Sequence, residues 1–190
     1  EFGRYLDVDG DGVTYRTLPG THPDKGAFFT RGSSKDEFAR YTEDGQAYVR
    51  NMKRLEKKWD TIKSNVPTSD ISLDPDFNKA ILYFGTTIYS AEEALDILKE
   101  HDLHYNWIRI KSFPFGPEVI DFINRHEEIF VIEQNRDAQM RSLLINELEV
   151  APSKLKKVLN YDGMAITAEQ ISMSIKEATI FMDHSQPEIF

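Results

Sequence analysis

The spacing of apolar residues changes along the chain, and each change predicts an element. From Arg4 to Gly45 the apolar patches are short and punctuated by Asp-Gly, Pro-Gly and Arg-Gly pairs, which reads as an irregular arm. From about Gln46 to Lys63, Tyr48, Met52, Leu55, Trp59 and Ile62 recur every three or four residues, which predicts an amphipathic helix whose stripe needs a cover. Either the following domain or a partner subunit supplies it. Residues 65–77 hold two prolines and several Ser, Thr and Asp residues, the composition of a linker, and the domain boundary is expected there.

Beyond Asn78, strand-like and helix-like runs alternate, the mark of an α/β domain over residues 78–182. Lys79–Phe84 is a strand closed by Gly85-Thr86-Thr87. Ser90 with Glu93 reads as a capping box for a helix burying Ala91, Ala94, Leu95 and Leu98. A strand over His104–Lys111, a turn at Phe113-Pro114-Phe115-Gly116, and a short helix opened by Pro117 follow. Ile129-Phe-Val-Ile-Glu-Gln-Asn135 is the most informative stretch. Four apolar residues then a polar cluster indicate a buried parallel strand that delivers polar groups to its carboxyl end, the edge where open α/β sheets bind ligands. A helix beginning near Arg136 carries Met140, Leu143, Leu144 and Leu148, and a strand near Leu155–Asn160 comes next. Asp162-Gly163 turns the chain, Thr167 with Gln170 caps a last helix, and residues 183–190 form a frayed tail.

Composition narrows the chemistry. The 190 residues are 40% hydrophobic and 29% charged, ordinary for a globular protein. With no cysteine the chain has no disulfide, thiolate zinc site, cysteine nucleophile or iron–sulfur ligand of its own. No long apolar run or leader is visible, so neither a membrane span nor a secretion signal is expected, and a cytoplasmic location is the default. Residues 1–60 hold eleven basic and eleven acidic residues, so the whole net charge of -9 falls in the remainder. No basic stripe for nucleic acid is present, which favours a small molecule or a protein partner. The chain starts at Glu1, and a piece of a longer polypeptide is expected.

Several motifs fail on inspection. Asp7-Val8-Asp9-Gly10-Asp11-Gly12 matches the opening of a calcium loop, but its twelfth position is Leu18 rather than a bidentate glutamate. Gly10-Asp11-Gly12 also matches the start of a thiamine-diphosphate magnesium motif, yet no asparagine occurs between Gly12 and Asn51. No dinucleotide, Walker or nucleophile-elbow motif appears. His101 and His104 straddle a helix end and a strand start, which speaks against a shared metal, and His126 sits where an imidazole complements a helix dipole. His22 is the one histidine in a glycine-proline loop.

Three ordered stretches carry a resemblance: Tyr15-Arg-Thr-Leu-Pro-Gly-Thr-His-Pro23, Phe29-Thr-Arg-Gly-Ser-Ser-Lys-Asp-Glu-Phe-Ala-Arg-Tyr41, and Phe130-Val-Ile-Glu-Gln-Asn-Arg-Asp-Ala-Gln139. With Leu143-Leu-Ile-Asn-Glu-Leu148 and Tyr161-Asp-Gly163 they resemble, in the same order, the alpha subunit of 2-oxoacid:ferredoxin oxidoreductases, most like the 2-oxoglutarate type. The resemblance implies a transketolase C-terminal-like domain from about residue 70, a three-layer α/β/α sandwich on a mostly parallel mixed sheet. It implies oxidative decarboxylation of a 2-oxoacid, pyruvate or 2-oxoglutarate among them, to an acyl-CoA. Thiamine diphosphate, Mg2+, an iron–sulfur cluster and coenzyme A belong to the complete enzyme, with a beta subunit as partner and ferredoxin as electron acceptor. A homodimer through the C-terminal domain is a further assembly to test.

Neither the thiamine-pyrimidine nor the diphosphate-and-magnesium domain falls in this chain, so the isolated chain is expected to bind no cofactor, hold no metal, contain no catalytic residue and be inactive. Its expected role is support of subunit association and the outer wall of a composite site. Glu133, Gln134, Asn135 and Arg136 are the first candidates, with helix capping as their plainer role. Arg16, Thr17, His22 and Arg31 are the second, a basic and hydroxyl-rich loop suited to an acidic partner or a 2-oxoacid carboxylate. A free-standing ligand-binding or regulatory module, a structural scaffold, and the C-terminal domain of another thiamine-dependent enzyme are the alternatives.

Overall fold

A computed structural model describes residues 2–24, 26, 27, 32 and 34–183. The chain divides into two compact units, Glu1–Val66 and Pro67–Phe190.

The first unit is an irregular arm and one helix, α1 (Gly45–Lys63). Asp44 caps α1, its carboxylate accepting the Gln46 and Ala47 amides at 3.0 and 3.1 Å. The arm bonds polar groups of the helix. Arg54 donates to the Gly12 carbonyl at 3.0 Å, the Thr61 hydroxyl to the Asp11 carbonyl at 2.5 Å, and Arg50 pairs with Glu37 at 2.6 Å. Gly12 has φ +80°, and a Cβ there would lie 2.3 Å from the Lys58 nitrogen. Along the stripe Tyr48, Met52 and Leu55 are exposed at 46%, 40% and 36%. The arm offers this helix backbone carbonyls and a carboxylate, which bond its polar groups.

The second unit contains β1 (Asp70–Ser72), β2 (Lys79–Phe84), α2 (Ile88–Lys99), β3 (Asn106–Ile110), α3 (Pro117–Arg125), β4 (Glu128–Glu133), α4 (Gln139–Leu148), β5 (Leu155–Leu159) and α5 (Ala168–Asp183). The sheet order is β1-β3-β2-β4-β5, parallel except for β1, which runs antiparallel along β3. Asp70–Ser72 was expected to be linker; three residues suffice for an edge strand, because β3 supplies the ladder and Lys111 and Arg109 hold Asp70 at 2.7 and 3.5 Å. These cations keep the Asp70 carboxyl below its ordinary range, the Lys111 hydrogen bond most of all.

Alternate residues of the central strands feed two cores. Ala80, Leu82, Ile129 and Val131 pack with α3 and α4 on one face, while Ile81, Tyr83, Phe130 and Ile132 pack with α2 and α5 on the other. That makes the three layers. Each large side chain so buried contributes about 1.5–3 kcal/mol. Because β4 is covered on both faces, all six of its residues are buried, and so the stretch reads as a continuous apolar run.

Three local expectations change. Ser90 lies inside α2, which a 3-10 turn at Gly85–Thr87 starts two residues earlier, and its hydroxyl donates to the Ile166 carbonyl at 2.8 Å instead of capping. The helix expected near Arg136 begins at Gln139. β3 is shorter than His104–Lys111, since His104 stacks on Phe77 at 5.3 Å outside the ladder. The Thr167–Gln170 capping box is present, with reciprocal bonds at 2.9 and 3.2 Å. Of the expected tail, Asp183 ends α5 and residues 184–190 lie outside the described residues.

Candidate functional site

All four parallel strands bring their carboxyl ends to one edge of the sheet. From β2 the chain crosses through α2 to β3 on one side, then returns through α3 on the opposite face to β4 on the other side. The strand order therefore reverses between β2 and β4, and the loops Gly85–Thr87 and 134–138 flank the crevice where open α/β folds place ligands.

Glu133 ends β4 inside the protein at 0% exposure. Its carboxylate accepts the amides of Met140 at 2.8 Å and Arg141 at 2.9 Å and the Asn135 Nδ2 at 2.8 Å. α4 has no side-chain cap of its own: its N-cap is Ala138, held left-handed at φ 52°. The strand-end carboxylate does that work instead, placing its charge on the positive end of the helix and satisfying two orphan amides. Glu133 is thus spent on structure, the capping role, exerted across seven residues on a helix that starts later than expected.

Gln134 spans the crevice. Its Nε2 donates to the Thr87 and Thr86 hydroxyls at 3.1 and 3.5 Å, and its Oε1 accepts the Ile166 amide at 3.3 Å, so one side chain ties the β2 and β4 loops to the entry of α5. Asn135 joins the cap, its Oδ1 accepting the Gln139 amide at 3.2 Å. Arg136 is exposed and bound to Asp137 through Nε at 2.7 Å and Nη2 at 3.3 Å. That carboxylate holds the guanidinium above its ordinary pKa, with Tyr161 adding to the effect. Around these polar groups stand Tyr89, Tyr161 and Met164, exposed at 79%, 65% and 74%. The edge therefore presents amides, hydroxyls and one guanidinium inside an apolar rim. Such a surface suits a protein partner or a polar ligand held between two chains.

The second candidate group lies in the other unit. Arg16 is exposed. Thr17 is held by Arg4, whose Nη2 bonds the hydroxyl and whose Nη1 donates to the carbonyl at 3.5 Å. His22 folds its loop, accepting the Asp24 amide on Nδ1 at 3.1 Å while its carbonyl accepts the Gly26 amide at 3.1 Å. Arg31 lies outside the described residues. In the calcium-like loop Asp7 accepts the Asp11 amide at 3.0 Å, Asp11 the Val13 amide at 2.8 Å, and Asp9 the Tyr15 hydroxyl at 2.8 Å. Those oxygens close turns. Among the described residues no group of three or more His, Cys, Asp or Glu is arranged to hold a metal ion, and the sequence has no cysteine for a cluster. The residues described thus do not fit a metal ion or an iron–sulfur cluster.

Two features escaped the sequence reading. Tyr83 is fully buried on β2 with no partner for its hydroxyl, and burial pushes its pKa up to about 12. At the amino edge, Asn106 and His126 form a buried polar pair, 2.8 Å apart. His126 does not meet the helix end as a charge. Its Nδ1 lies 2.7 Å from the Phe122 carbonyl, and burial lowers its pKa. An asparagine directly after Leu103-His104-Tyr105, at the start of the strand, was the available signal.

No family model and no curated protein matches the chain. Solved structures do. A 2-oxoglutarate:ferredoxin oxidoreductase from Magnetococcus marinus, solved with 2-oxoglutarate, coenzyme A and succinyl-CoA bound, aligns with a TM-score of 0.76 at 18% identity. The alignment covers 93% of this chain and 30% of that one. A split-gene transketolase in an inactive beta4 tetramer aligns at TM-score 0.48 and 16% identity over 59% of this chain and 42% of its own. The alpha chain of a probable 2-oxoacid ferredoxin oxidoreductase from Thermoplasma acidophilum aligns at 0.41 and 21% over 58% and 96%. Over nearly all its length the chain has the fold of a segment, just under a third, of the Magnetococcus oxidoreductase chain.

Proposed function

We propose that this chain is the C-terminal part of the alpha subunit of a 2-oxoacid:ferredoxin oxidoreductase, with 2-oxoglutarate as the favoured 2-oxoacid. The observation that carries the reading is the likeness in fold over 93% of the chain to an enzyme of that activity, agreeing with the ordered sequence motifs. Its role is supportive: it binds the beta subunit and walls a composite site in which thiamine diphosphate and Mg2+, held by other domains, supply the decarboxylation chemistry. In the complete enzyme an iron–sulfur cluster on another domain would supply the electron path to ferredoxin, and coenzyme A would be the acyl acceptor.

Two surfaces of the chain support that role. The exposed stripe of α1 carries Tyr48, Met52 and Leu55 on a helix with six basic and two acidic residues, suited to an acidic partner surface with an apolar centre. At the carboxyl edge of the sheet, Gln134 and Asn135 brace the loop that carries the exposed guanidinium of Arg136 within an apolar rim, while buried Glu133 sets the position of Asn135. Arg16, Thr17, His22 and Arg31 form the second contact group, toward a carboxylate of substrate or partner.

The test is steady-state turnover of 2-oxoglutarate, CoA and ferredoxin by the chain alone and by the complete assembly. Turnover by the isolated chain overturns the proposal. In the assembly, Arg16→Ala, Arg31→Ala and Arg136→Ala raise the substrate requirement or weaken subunit association; wild-type values for all three remove these residues from the site.

A further inference from the structure

We infer that Asn106 and His126 form a latch that holds the loop between β1 and β2 on the amino edge of the sheet, and that proton uptake by His126 releases that loop. The inference is independent of the proposed enzymatic role. Asn106 opens β3 and His126 follows α3, exposed at 3% and 2%. The Asn106 Oδ1 accepts the Asp74 amide at 2.6 Å, and the two hydrogens of its Nδ2 are shared among the Asp74 and Phe77 carbonyls, both at 3.0 Å, and the His126 ring. These three backbone groups permit one orientation of the carboxamide. Turned over, it would set an NH2 against an N–H and an oxygen against two carbonyls.

The imidazole has no choice either. Nδ2 of Asn106 faces its Nε2 at 2.8 Å, so Nε2 accepts; the Phe122 carbonyl faces its Nδ1 at 2.7 Å, so Nδ1 donates. The ring is therefore the neutral Nδ1–H tautomer. A proton arriving on Nε2 would point at an NH2 group, and relieving that conflict moves the carboxamide and breaks its three bonds to the loop.

The cations around the ring oppose protonation. Arg125 lies beside it on α3, and Lys154 reaches in from the turn before β5, donating to the Ile123 carbonyl at 3.0 Å. From the loop side come Asp74, whose carboxylate accepts the Asp76 amide at 3.0 Å, and Asn78, paired with Glu127 at 2.9 Å. His104 stacks on Phe77 in the same loop. Burial comes first among the causes that lower the His126 pKa from 6.5. A group with a depressed folded pKa contributes its stability above 6.5, and the contribution is lost as pH falls through the folded value. A cavity of 320 Å3 beside the ring, lined by Leu73, Asp74, Pro75, Phe77 and Arg125 among others, adjoins the segment that is released.

Amide exchange and 15N NMR of the full chain across mildly acid pH test the latch. At neutral pH His126 shows a bare Nε2 and a protonated Nδ1. Below pH 6.5, corrected exchange at Asp74 accelerates about tenfold per pH unit until the latched ring itself titrates, while Leu82 and Val131 in the central strands stay protected. His126→Gln abolishes the pH dependence, and His104→Gln leaves it intact. An Nε2–H tautomer, pH-independent exchange at Asp74, or a parallel rise in the central strands overturns the inference, the last because it makes His126 part of global stability only.

Discussion

Replacing Glu133 with glutamine changes no volume and removes one charge, which makes it a sharp probe of how the carboxyl edge is built. The native carboxylate accepts three hydrogen bonds, at 2.8, 2.8 and 2.9 Å, with no exposure to water. A carboxamide has one accepting oxygen, so in either orientation its NH2 opposes an amide of α4. At least one charge-assisted bond is lost, worth about 1.5–3 kcal/mol, and a buried donor is orphaned at about 1–3 kcal/mol. Loss of the helix-terminus charge interaction adds about 0.3–1 kcal/mol, and relief of the charge's own burial offsets part of the total. The expected net cost is about 2–4 kcal/mol, a large share of the roughly 5–15 kcal/mol typical of a domain. Urea denaturation followed by circular dichroism reads it as a lower midpoint at unchanged slope, and amide exchange locates the loss at Met140 and Arg141. A cost below about 0.5 kcal/mol, the usual scatter of surface substitutions, would refute the idea that a strand-end carboxylate starts α4.

Two further substitutions follow from the geometry. Tyr83→Phe removes a buried hydroxyl that has no partner and stabilises the protein by up to about 1–3 kcal/mol; since Tyr83 titrates near 12 in the fold against 10 outside it, wild-type stability falls as pH rises from 10 toward 12, and the variant loses that component. An unfolding curve unchanged by the substitution refutes it. Gly12→Ala combines a left-handed φ of +80° with a Cβ 2.3 Å from the α1 backbone, so it costs more than the roughly 1–2 kcal/mol of conformational strain alone and detaches the arm; limited proteolysis near Asp11 checks it, and wild-type resistance sinks the reasoning.

The sequence alone determined the elements whose periodicity is local. Lys79–Phe84 forms a strand with the expected bounds, the apolar run from Ile129 falls within β4, Pro117 opens α3, and the Thr167–Gln170 box caps α5, because side-chain alternation and capping chemistry act within a few residues. A mostly parallel sheet covered on both faces was legible in the apolar run of β4. Tertiary structure decided everything that depends on contacts remote in sequence. β1 is a strand because β3 lends it a ladder, and α4 begins at Gln139 because Glu133 reaches its amides. His126 is held toward its neutral form because burial lowers its pKa, at a place where Asn106, twenty residues away, meets its ring. The stripe on α1 was visible in the spacing of Tyr48, Met52 and Leu55, whereas its exposure was not, since periodicity marks an apolar face and only the folded chain shows whether something covers it. The polar residues after β4 were found for the same reason their roles were missed: polarity at a strand end is written locally, but which groups are spent on backbone amides and which face outward is settled by the packing of three different loops.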